Sequence, residues 1–350
     1  MDLELFGRET ERFKRGELSA VEYRAFRVPR GVYEQREDGV YMLRIRCPAG
    51  VILPDHLSAM ARVSTAFGNG VLHLTTRQDV QVHGVGIDDI TPSLIELHEA
   101  GLSTRGGGGN SVRNVTGCCD AGVCPHEQFD IGPFPPALTS FLLGRPGNLT
   151  LPRKYKLAFS GCARDCAGAA VNDLGFIASS NGDRPGFDVY IGGGMGAVSR
   201  VGDLLESNVP ADEVPRISEA VMRVFDRHGN RRNKHRARLR FLVEKLGLER
   251  FKELYKAELA ACSTDVSGIG RSVDPPRLRA VRAPRAVAPA PGFDAWSSAH
   301  ARPQKQEGYF AVEIPLFLGD ITAETAAELA RVADTFGEGL LRADHWQNLQ

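Results

Sequence analysis

An internal repeat limits what this 350-residue chain can fold into more than any other feature of its sequence. Residues 39–81 align without a gap to residues 308–350, and glycine, glutamine and apolar positions recur at the same places. Each segment has the pattern of a strand, an amphipathic helix and a further strand, so one β-α-β unit is written twice. Half of a sheet needs a second half to bury its apolar face, and the two copies can supply each other. The matched positions are Gly39, Ile45, Gly50, Ile52, Ala61, Arg62, Val63, Phe67, Gly68, Gly70, Leu72, Gln78 and Gln81 in the first copy, and Gly308, Ile314, Gly319, Ile321, Ala330, Arg331, Val332, Phe336, Gly337, Gly339, Leu341, Gln347 and Gln350 in the second.

The most distinctive chemistry lies between the copies, where four cysteines form two spaced pairs. Cys118 and Cys124 have five residues between them, and Cys162 and Cys166 have three. Four thiolates are the usual ligands of a 4Fe–4S cluster. The second pair lies between a strand-like run, 156–160, and a helix-like run, 167–171, whose first amides would favour negative charge. The pattern therefore indicates an iron–sulfur site.

Zinc binding and simple burial are the alternatives for these cysteines. Zinc sites more typically have about two to four residues between the cysteines of a pair, so the longer gap fits them poorly. Free cysteines are often buried as small apolar side chains, which leaves a structural role open. Disulfides are disfavoured, because the chain has seven cysteines and no secretion signal. Cys119 could replace Cys118 as a ligand, whereas Cys47 and Cys262 are interpreted as structural.

Composition and charge argue against several classes of protein. The 43 basic and 43 acidic residues cancel, so bulk attraction to nucleic acid or to a membrane is not indicated. No apolar run is long enough to span a bilayer. The first residues lack the basic and apolar regions of a secretion signal. We therefore expect a cytoplasmic protein, in which unpaired thiols stay reduced.

The pattern along the chain predicts separate domains joined by a linker. Helices are expected at about 54–67, 213–228 and 248–261. The repeat has only just closed at Gln350, so we expect that a longer chain or a partner subunit supplies a second central domain. The predicted segments are an N-terminal arm with one helix (1–34), a first half-domain (35–100), a cysteine-bearing domain (101–265), an extended Pro/Ala/Arg-rich linker (266–304) and a second half-domain (305–350).

Four basic residues accompany the cysteines, namely Arg77, Arg113, Lys154 and Lys156. Lys154 and Lys156 flank Tyr155 in a strand-like context, so both can point to one face. Converging arginine and lysine bind an oxyanion well, because arginine offers a planar fork and lysine a compact charge and a proton source. Each of them alone would more often be a solvated surface residue. Their position beside the cysteines favours an anion site.

At these motifs the chain resembles the sirohaem-dependent sulfite and nitrite reductases. The resemblance implies an α+β fold in which two ferredoxin-like half-domains, 39–81 and 308–350, flank a mixed α/β domain for sirohaem and a 4Fe–4S cluster. It implies six-electron reduction of sulfite to sulfide, or of nitrite to ammonia, with electrons from a donor protein or a flavoprotein subunit. The matching stretches are Thr76–Gly84, Gly109–Asn114, Leu151–Lys156, Ser160–Cys166, Ile191–Gly194 and Gly229–Asn233.

The resemblance also implies roles for individual residues. The cluster would be held by Cys118, Cys124, Cys162 and Cys166, with Cys166 bridging to the sirohaem iron. The substrate anion would be held by Arg77, Arg113, Lys154 and Lys156. The sirohaem lining would include Arg77, Arg113, Asn114, Gly192, Gly193 and Gly194. The three glycines would bring backbone amides to sirohaem carboxylates, although with Ala197 they also fit a plain turn or, loosely, a dinucleotide fingerprint.

Two details bear on substrate and assembly. Nitrite-type members of the family often have asparagine where Lys156 stands, so lysine favours sulfite. In two-repeat members, the anion residues come from the first repeat and the working cysteines from the second, whereas here both sets lie in the first. The two sets can therefore serve different sites, each completed by a second central domain or by the other subunit of a homodimer.

Two further functions remain open at the level of sequence. One is a monooxygenase like precorrin-3B synthase, with a cluster and no sirohaem, which the four basic positions argue against. The other is a non-catalytic electron-transfer subunit. The basic run between Arg223 and Arg240 is read first as a solvated helix face, and otherwise as a sirohaem lining or a dock for an acidic donor.

Overall fold

A computed structural model describes residues 2–181, 184–196, 198–262, 290–337 and 339–350. The helices are α1 Leu3–Lys14, α2 Ala20–Arg27, α3 Pro54–Phe67, α4 Ile90–Glu99, α5 Phe134–Leu143, α6 Val214–His228, α7 Leu239–Leu246, α8 Leu248–Ala261, α9 Phe293–His300 and α10 Ala323–Phe336. The strands are β1 Val32–Glu34, β2 Val40–Ile45, β3 Val51–Ile52, β4 Val71–Leu74, β5 Val80–Gly86, β6 Val112–Gly117, β7 Tyr155–Ser160, β8 Leu174–Asn181, β9 Arg184–Ile191, β10 Asp203–Pro210, β11 Ala301–Pro303, β12 Phe310–Val312, β13 Asp320–Thr322 and β14 Leu341–Arg342.

The chain divides into two compact units, residues 1–108 with 276–350, and residues 109–275. The first unit is built around an antiparallel sheet in the order β1-β2-β5-β4-β13. Helix α3 packs against α10, its counterpart in the repeat. The α+β architecture with two half-domain copies is thus confirmed.

Strand pairing between the copies follows the repeat. Ile52 pairs with Leu341, and the equivalent residues Ile321 and Leu72 pair in turn. Backbone conformation recurs as well, since Ala49 and Leu318 hold φ angles of 54° and 55° at matched positions. Each copy thereby completes the sheet of the other, as the sequence predicts.

The two copies differ in how the apolar face of their helix is covered. Val63 in α3 is fully buried, and α4 packs against this helix. Val332 of α10, the equivalent of Val63, is 39% exposed. Phe336, the equivalent of the half-buried Phe67, is 63% exposed. The recurring helix face of the sequence is therefore buried in the first copy and largely exposed in the second, where Ala326 and Ala330 make the buried contact instead.

Two segments are more ordered than the sequence suggests. The expected N-terminal arm forms α1, α2 and β1, because Phe6 and Tyr23 are buried in the core of the first unit. The end of the expected linker forms α9 and β11, and β11 pairs with β12. Residues 266–289 of that linker lie outside the described residues.

The second unit carries the cysteines on a mixed sheet in the order β10-β9-β8-β7-β6. Strands β6, β7 and β8 are parallel, whereas β9 and β10 are antiparallel to their neighbours. One face of the sheet buries an aromatic cluster in which Phe159 stacks on Phe176, with 4.8 Å between ring centroids. Helices α6, α7 and α8 contribute to the same core through periodic apolar faces, which explains why the sequence predicts α6 and α8 closely. None of the described helices is long and apolar enough to cross a membrane.

Candidate cluster and anion site

The cysteines gather where two neighbouring parallel strands end. Cys118 directly follows β6, and Cys162 lies two positions after the last residue of β7. Because the carboxyl ends of parallel strands meet at one edge of a sheet, the two cysteine loops are brought together. The loops are joined by a hydrogen bond of 2.8 Å from the Gln128 amide to the Gly161 carbonyl.

Cys118 and Cys166 are in direct contact, with 3.2 Å between their Sγ atoms. The Gly161 amide also donates to the Cys118 sulfur at 3.3 Å. The contact with Cys118 lowers the pKa of Cys166 to about 7, and the same contact, with burial, raises the pKa of Cys118. The exposed Cys166 is therefore the sulfur of this pair that more readily becomes a thiolate.

Cys124 lies near the same group of sulfurs. Burial raises the pKa of Cys124, and the neighbouring Cys162 and Cys166 thiols add to the rise. The His126 amide donates to the Cys124 sulfur at 3.4 Å, and this hydrogen bond opposes part of the rise in the pKa of Cys124. Cys119 is half-buried, and Cys118 is the neighbour whose contact with Cys166 is described above. Cys47 and Cys262 are buried elsewhere, in agreement with structural roles.

The four predicted ligand cysteines thus converge at one end of the sheet, which we call the cysteine end (Cys118, Cys124, Cys162 and Cys166). Among the described residues, no group of three or more potential ligands already has the geometry of a metal site. The donor set itself fits an iron–sulfur cluster, because four thiols from two adjoining loops are the ligands that such a cluster requires.

Asp165 organises the second cysteine loop, a role that the sequence pattern does not reveal. Its carboxylate accepts the Ala169 and Ala170 amides at 2.6 and 3.0 Å and the Ser160 hydroxyl. Asp165 itself has a φ of 47°, in the left-handed region that aspartate tolerates better than most residues. The expected helix at 167–171 is only a 3-10 turn, Ala169–Val171. Its first amides bind the negatively charged Asp165 carboxylate.

The basic residues lie at the opposite end of the same strands. Tyr155 points into the core, where its hydroxyl donates to the Ser218 carbonyl at 3.2 Å, so the half-buried Lys154 and Lys156 lie on the other face. A register shift in β6 after Val112 places Arg113 and Asn114 beside Lys156 on the neighbouring strand. Such bulges re-aim side chains and are frequent beside functional sites. We call Arg113, Lys154 and Lys156 the basic edge.

The cysteine end and the basic edge are separated by the length of the strands. Arg113 precedes Cys118 by five positions along β6, which corresponds to about 16 Å at about 3.3 Å per residue. The two sets of residues are therefore near each other in sequence without forming one compact cluster.

Arg77 belongs to the other unit. It is half-buried in the turn between β4 and β5, and its amide donates to the Thr75 hydroxyl oxygen at 3.2 Å. The following residue, Gln78, is fully buried with a φ of 59°. The repeat therefore holds the main chain next to Arg77 in a fixed conformation.

The three glycines after β9 serve local packing. A Cβ atom on Gly193 would lie 2.3 Å from the Ala170 carbonyl oxygen, and Gly192 has a φ of 77°. Gly194 pairs with Arg200 across a short bridge, and its carbonyl accepts Arg240 at 3.3 Å. No helix starts among residues 192–196 and 198–202, the part of this segment that the structure describes, which argues against a dinucleotide site. Ala197 lies outside the described residues.

Much of the basic run is neutralised within the second unit. Arg223 pairs with Glu219, Arg227 with Glu258, and Arg231 with Asp226. Arg232, Lys234 and Arg236 are exposed in the loop before α7. The run therefore behaves mainly as a solvated, ion-paired surface, as the simpler interpretation of the sequence predicts.

Comparison with known proteins addresses the resemblance directly. The family model described as the nitrite and sulphite reductase 4Fe-4S domain matches residues 108–261. The model described as the nitrite/sulfite reductase ferredoxin-like half domain matches residues 33–100 and 302–350. The chain belongs to the nitrite and sulfite reductase family. The residues matched by the 4Fe-4S model contain the cysteine end and the basic edge together.

Relatives of both substrate types match the chain. It is 33% identical to a ferredoxin–nitrite reductase of Synechococcus elongatus over 89% of its own length and 58% of the relative's. It is 31% identical to a sulfite reductase [ferredoxin] 2 of Mycolicibacterium paratuberculosis over 65% of its length and 44% of the relative's. The solved structure of the Mycobacterium tuberculosis NirA protein aligns with a TM-score of 0.77 and 26% identity, covering 99% of this chain and 65% of that one. The chain thus spans about half the length of the curated reductases it matches.

Proposed function

We propose that this chain forms part of a sirohaem- and 4Fe–4S-dependent reductase that converts sulfite to sulfide, with reduction of nitrite to ammonia as the alternative reaction. The observation that carries the proposal is the convergence of four cysteines within the residues that match the family's 4Fe-4S domain. Lys156 at the basic edge supports sulfite, while the named relatives include reductases of both anions.

The proposed cofactors fit the residues at the cysteine end. Cys118, Cys124, Cys162 and Cys166 would hold the cluster, and the exposure of Cys166 supports the proposal that it would bridge to the sirohaem iron. When bound, a 4Fe–4S cluster and sirohaem would supply single electrons and an iron centre that binds the anion. The glycines at 192–194, Arg77, Arg113 and Asn114 remain proposed parts of the sirohaem lining.

The chain's own residues would bind the anion and supply protons. Arginine and lysine offset the charge of sulfite, and the lysine ammonium groups can donate protons as oxygens leave. Complete reduction releases three oxygens as water and consumes six protons, so proton donors beside the anion are required as well as electrons. Lys154 and Lys156 are the proton donors that we propose, with Arg113 and Arg77 holding the charge.

Completion of a site by another polypeptide segment is part of the proposal. The cysteine end and the basic edge lie at opposite ends of β6 and β7. We infer that each faces a complementary set of residues from a further domain or from a second subunit. A donor protein like the ferredoxin in the relatives' names would supply the electrons. We propose that the reaction takes place in the cytoplasm.

The test is anaerobic purification followed by cofactor analysis and turnover. We expect sirohaem in an acid–acetone extract and about four cluster irons per chain beside the haem iron. With reduced methyl viologen, sulfite should give a higher kcat/KM than nitrite. A preparation that stays colourless after reconstitution would overturn the proposal, and a higher kcat/KM for nitrite would reverse the substrate assignment.

The separation of the two ends favours one other function, a non-catalytic iron–sulfur subunit. Such a chain would bind the cluster and pass electrons without binding an anion. An intact cluster combined with no spectral change on adding sulfite or cyanide would support this second candidate.

A further inference from the structure

A fully buried carboxylate ties together three segments at the amino end of the second unit's sheet. Asp173, just before β8, has no exposed side-chain surface. Its Oδ2 accepts the main-chain amide of Lys156 at 2.9 Å, and its own carbonyl accepts the Gly192 amide at 2.9 Å. The side chain of Arg238, the residue before α7, forms an ion pair with the Asp173 carboxylate and so joins a third segment. Asp173 therefore touches the basic edge directly.

The contact with Arg238 uses both carboxylate oxygens. Arg238 Nε donates to Oδ1 at 3.1 Å, and a terminal nitrogen donates to Oδ2 at 2.9 Å. A paired geometry of this kind fixes the plane of the guanidinium group as well as its position. Lys156 and Arg238, which are 82 positions apart in sequence, are thus held by one carboxylate.

A buried ion pair of this kind is a weak source of stability. Removing two charges from water costs free energy that their attraction repays only in part, and well-packed apolar residues can often replace such a pair. Accepting the Lys156 amide gives Asp173 a structural role, and the paired geometry in addition fixes the charge of Arg238 on the same carboxylate as the main chain of Lys156.

Arg238 retains donor capacity beyond Asp173. The hydrogen bonds that it makes within the described chain use Nε and one terminal nitrogen, and its side chain is 13% exposed. Arg240, two positions on, differs because it is buried and its terminal nitrogen donates to the Gly194 carbonyl. Arg238 thus has a second terminal nitrogen that can donate to an outside anion.

We propose that Arg238 is a further anion-binding residue next to the basic edge and that Asp173 is its positioning residue. The ligand chemistry is an anionic oxygen, which either the substrate oxyanion or a cofactor carboxylate can present. The identity of that anion rests on the proposed function. Binding of an anion by Arg238 does not depend on turnover.

The first measurement needs no cofactor. The melting temperature of the full chain is recorded in sodium sulfite and in sodium chloride at equal ionic strength, because a ligand that binds the folded state raises it. We expect Arg238→Gln and Asp173→Asn to reduce the sulfite-specific rise by half or more. Arg232→Gln is the matched control, since it removes the same charge from an exposed neighbour and should leave the rise unchanged.

The second measurement uses the loaded enzyme and separates the two sources of the anion. A tenfold or greater rise in KM with unchanged sirohaem content in Arg238→Gln assigns the substrate oxyanion. A loss of half or more of the sirohaem with unchanged KM in the loaded fraction assigns a cofactor carboxylate. Arg238→Lys keeps the charge but not the paired geometry, so we expect it to share the defect.

Unchanged sulfite response, KM and sirohaem content in Arg238→Gln would overturn the proposal, whatever happens to the melting temperature in chloride. The glutamine side chain of Arg238→Gln keeps an amide that can donate to Asp173, so this variant should fold even if Asp173→Asn does not. If the unmodified chain reduces neither anion while sulfite still stabilises it through Arg238, the proposed function fails and this inference stands.

Discussion

Gln78 and Gln347 make reciprocal hydrogen bonds across the two halves of the repeat. The Nε2 atom of Gln78 donates to the Ala343 carbonyl at 2.8 Å, and Nε2 of Gln347 donates to the Leu74 carbonyl, also at 2.8 Å. Ala343 and Leu74 are themselves matched positions. Each copy therefore reaches into the strand end of the other, which makes the repeat a single cooperative structure.

We predict that Gln78→Ala destabilises the first unit more than Gln347→Ala. Both substitutions remove the donor of a carbonyl on a fully buried residue, but Gln78 is itself fully buried whereas Gln347 is half-buried, so water can replace the lost donor more readily at Gln347. The expected loss in the free energy of unfolding is about 1–3 kcal/mol for Gln78→Ala and less for Gln347→Ala. Urea unfolding of the two variants measures the difference. An equal or reversed order would contradict this account.

A second prediction concerns Asp165. Asp165→Ala removes the acceptor of two amides and one hydroxyl, so the loop with Cys162 and Cys166 should lose its fixed shape. We expect iron and acid-labile sulfide per chain to fall by more than half after reconstitution. Arg164→Ala is the control, because Arg164 is an exposed neighbour on the same loop. Similar iron content in the two variants would show that the loop does not depend on Asp165.

A third prediction separates the adjacent cysteines. The contact of Cys118 with Cys166 makes Cys118 the ligand that we propose from this adjacent pair. Cys118→Ser should therefore lower iron and acid-labile sulfide per chain by more than half, because a cluster ligand is lost, while Cys119→Ser should retain both. The two variants are matched in chemistry and differ by one position. Loss of the cluster in Cys119→Ser alone would reverse the assignment.

How far the sequence predicts the structure depends on the range of the interactions. Helix α3 and the central helices follow from periodic apolar residues, and the pairing of the copies follows from their repeated pattern. The N-terminal segment was harder to predict, since Phe6 and Tyr23 find their partners only in the folded unit. The contact of Asp173 with Arg238 joins residues 65 positions apart, and no local pattern indicates it.

The site shows the same division. Cysteine spacing predicts that the two loops converge. In the structure each pair follows one of two neighbouring parallel strands, β6 and β7. The sequence does not reveal the role of Asp165. That role depends on the positive φ of Asp165 and on hydrogen bonds from amides within 167–171, a segment that the sequence predicts to be helical. It also does not show that the lysines and the cysteines lie at opposite strand ends, which requires knowledge that β6 and β7 are parallel neighbours.

The last prediction follows from that separation. Replacing Lys154 and Lys156 by alanine should lower kcat/KM for sulfite at least tenfold, because charge and proton donors are lost beside the anion. Iron and acid-labile sulfide should remain at the level of the unmodified chain, since the lysines are roughly a strand length from the cysteines. Conversely, Cys162→Ser should lose the cluster and keep the sulfite-specific rise in melting temperature. Parallel loss of cluster and anion response in either variant would mean that the two ends form one site, and the requirement for a complementary domain or subunit would disappear with it.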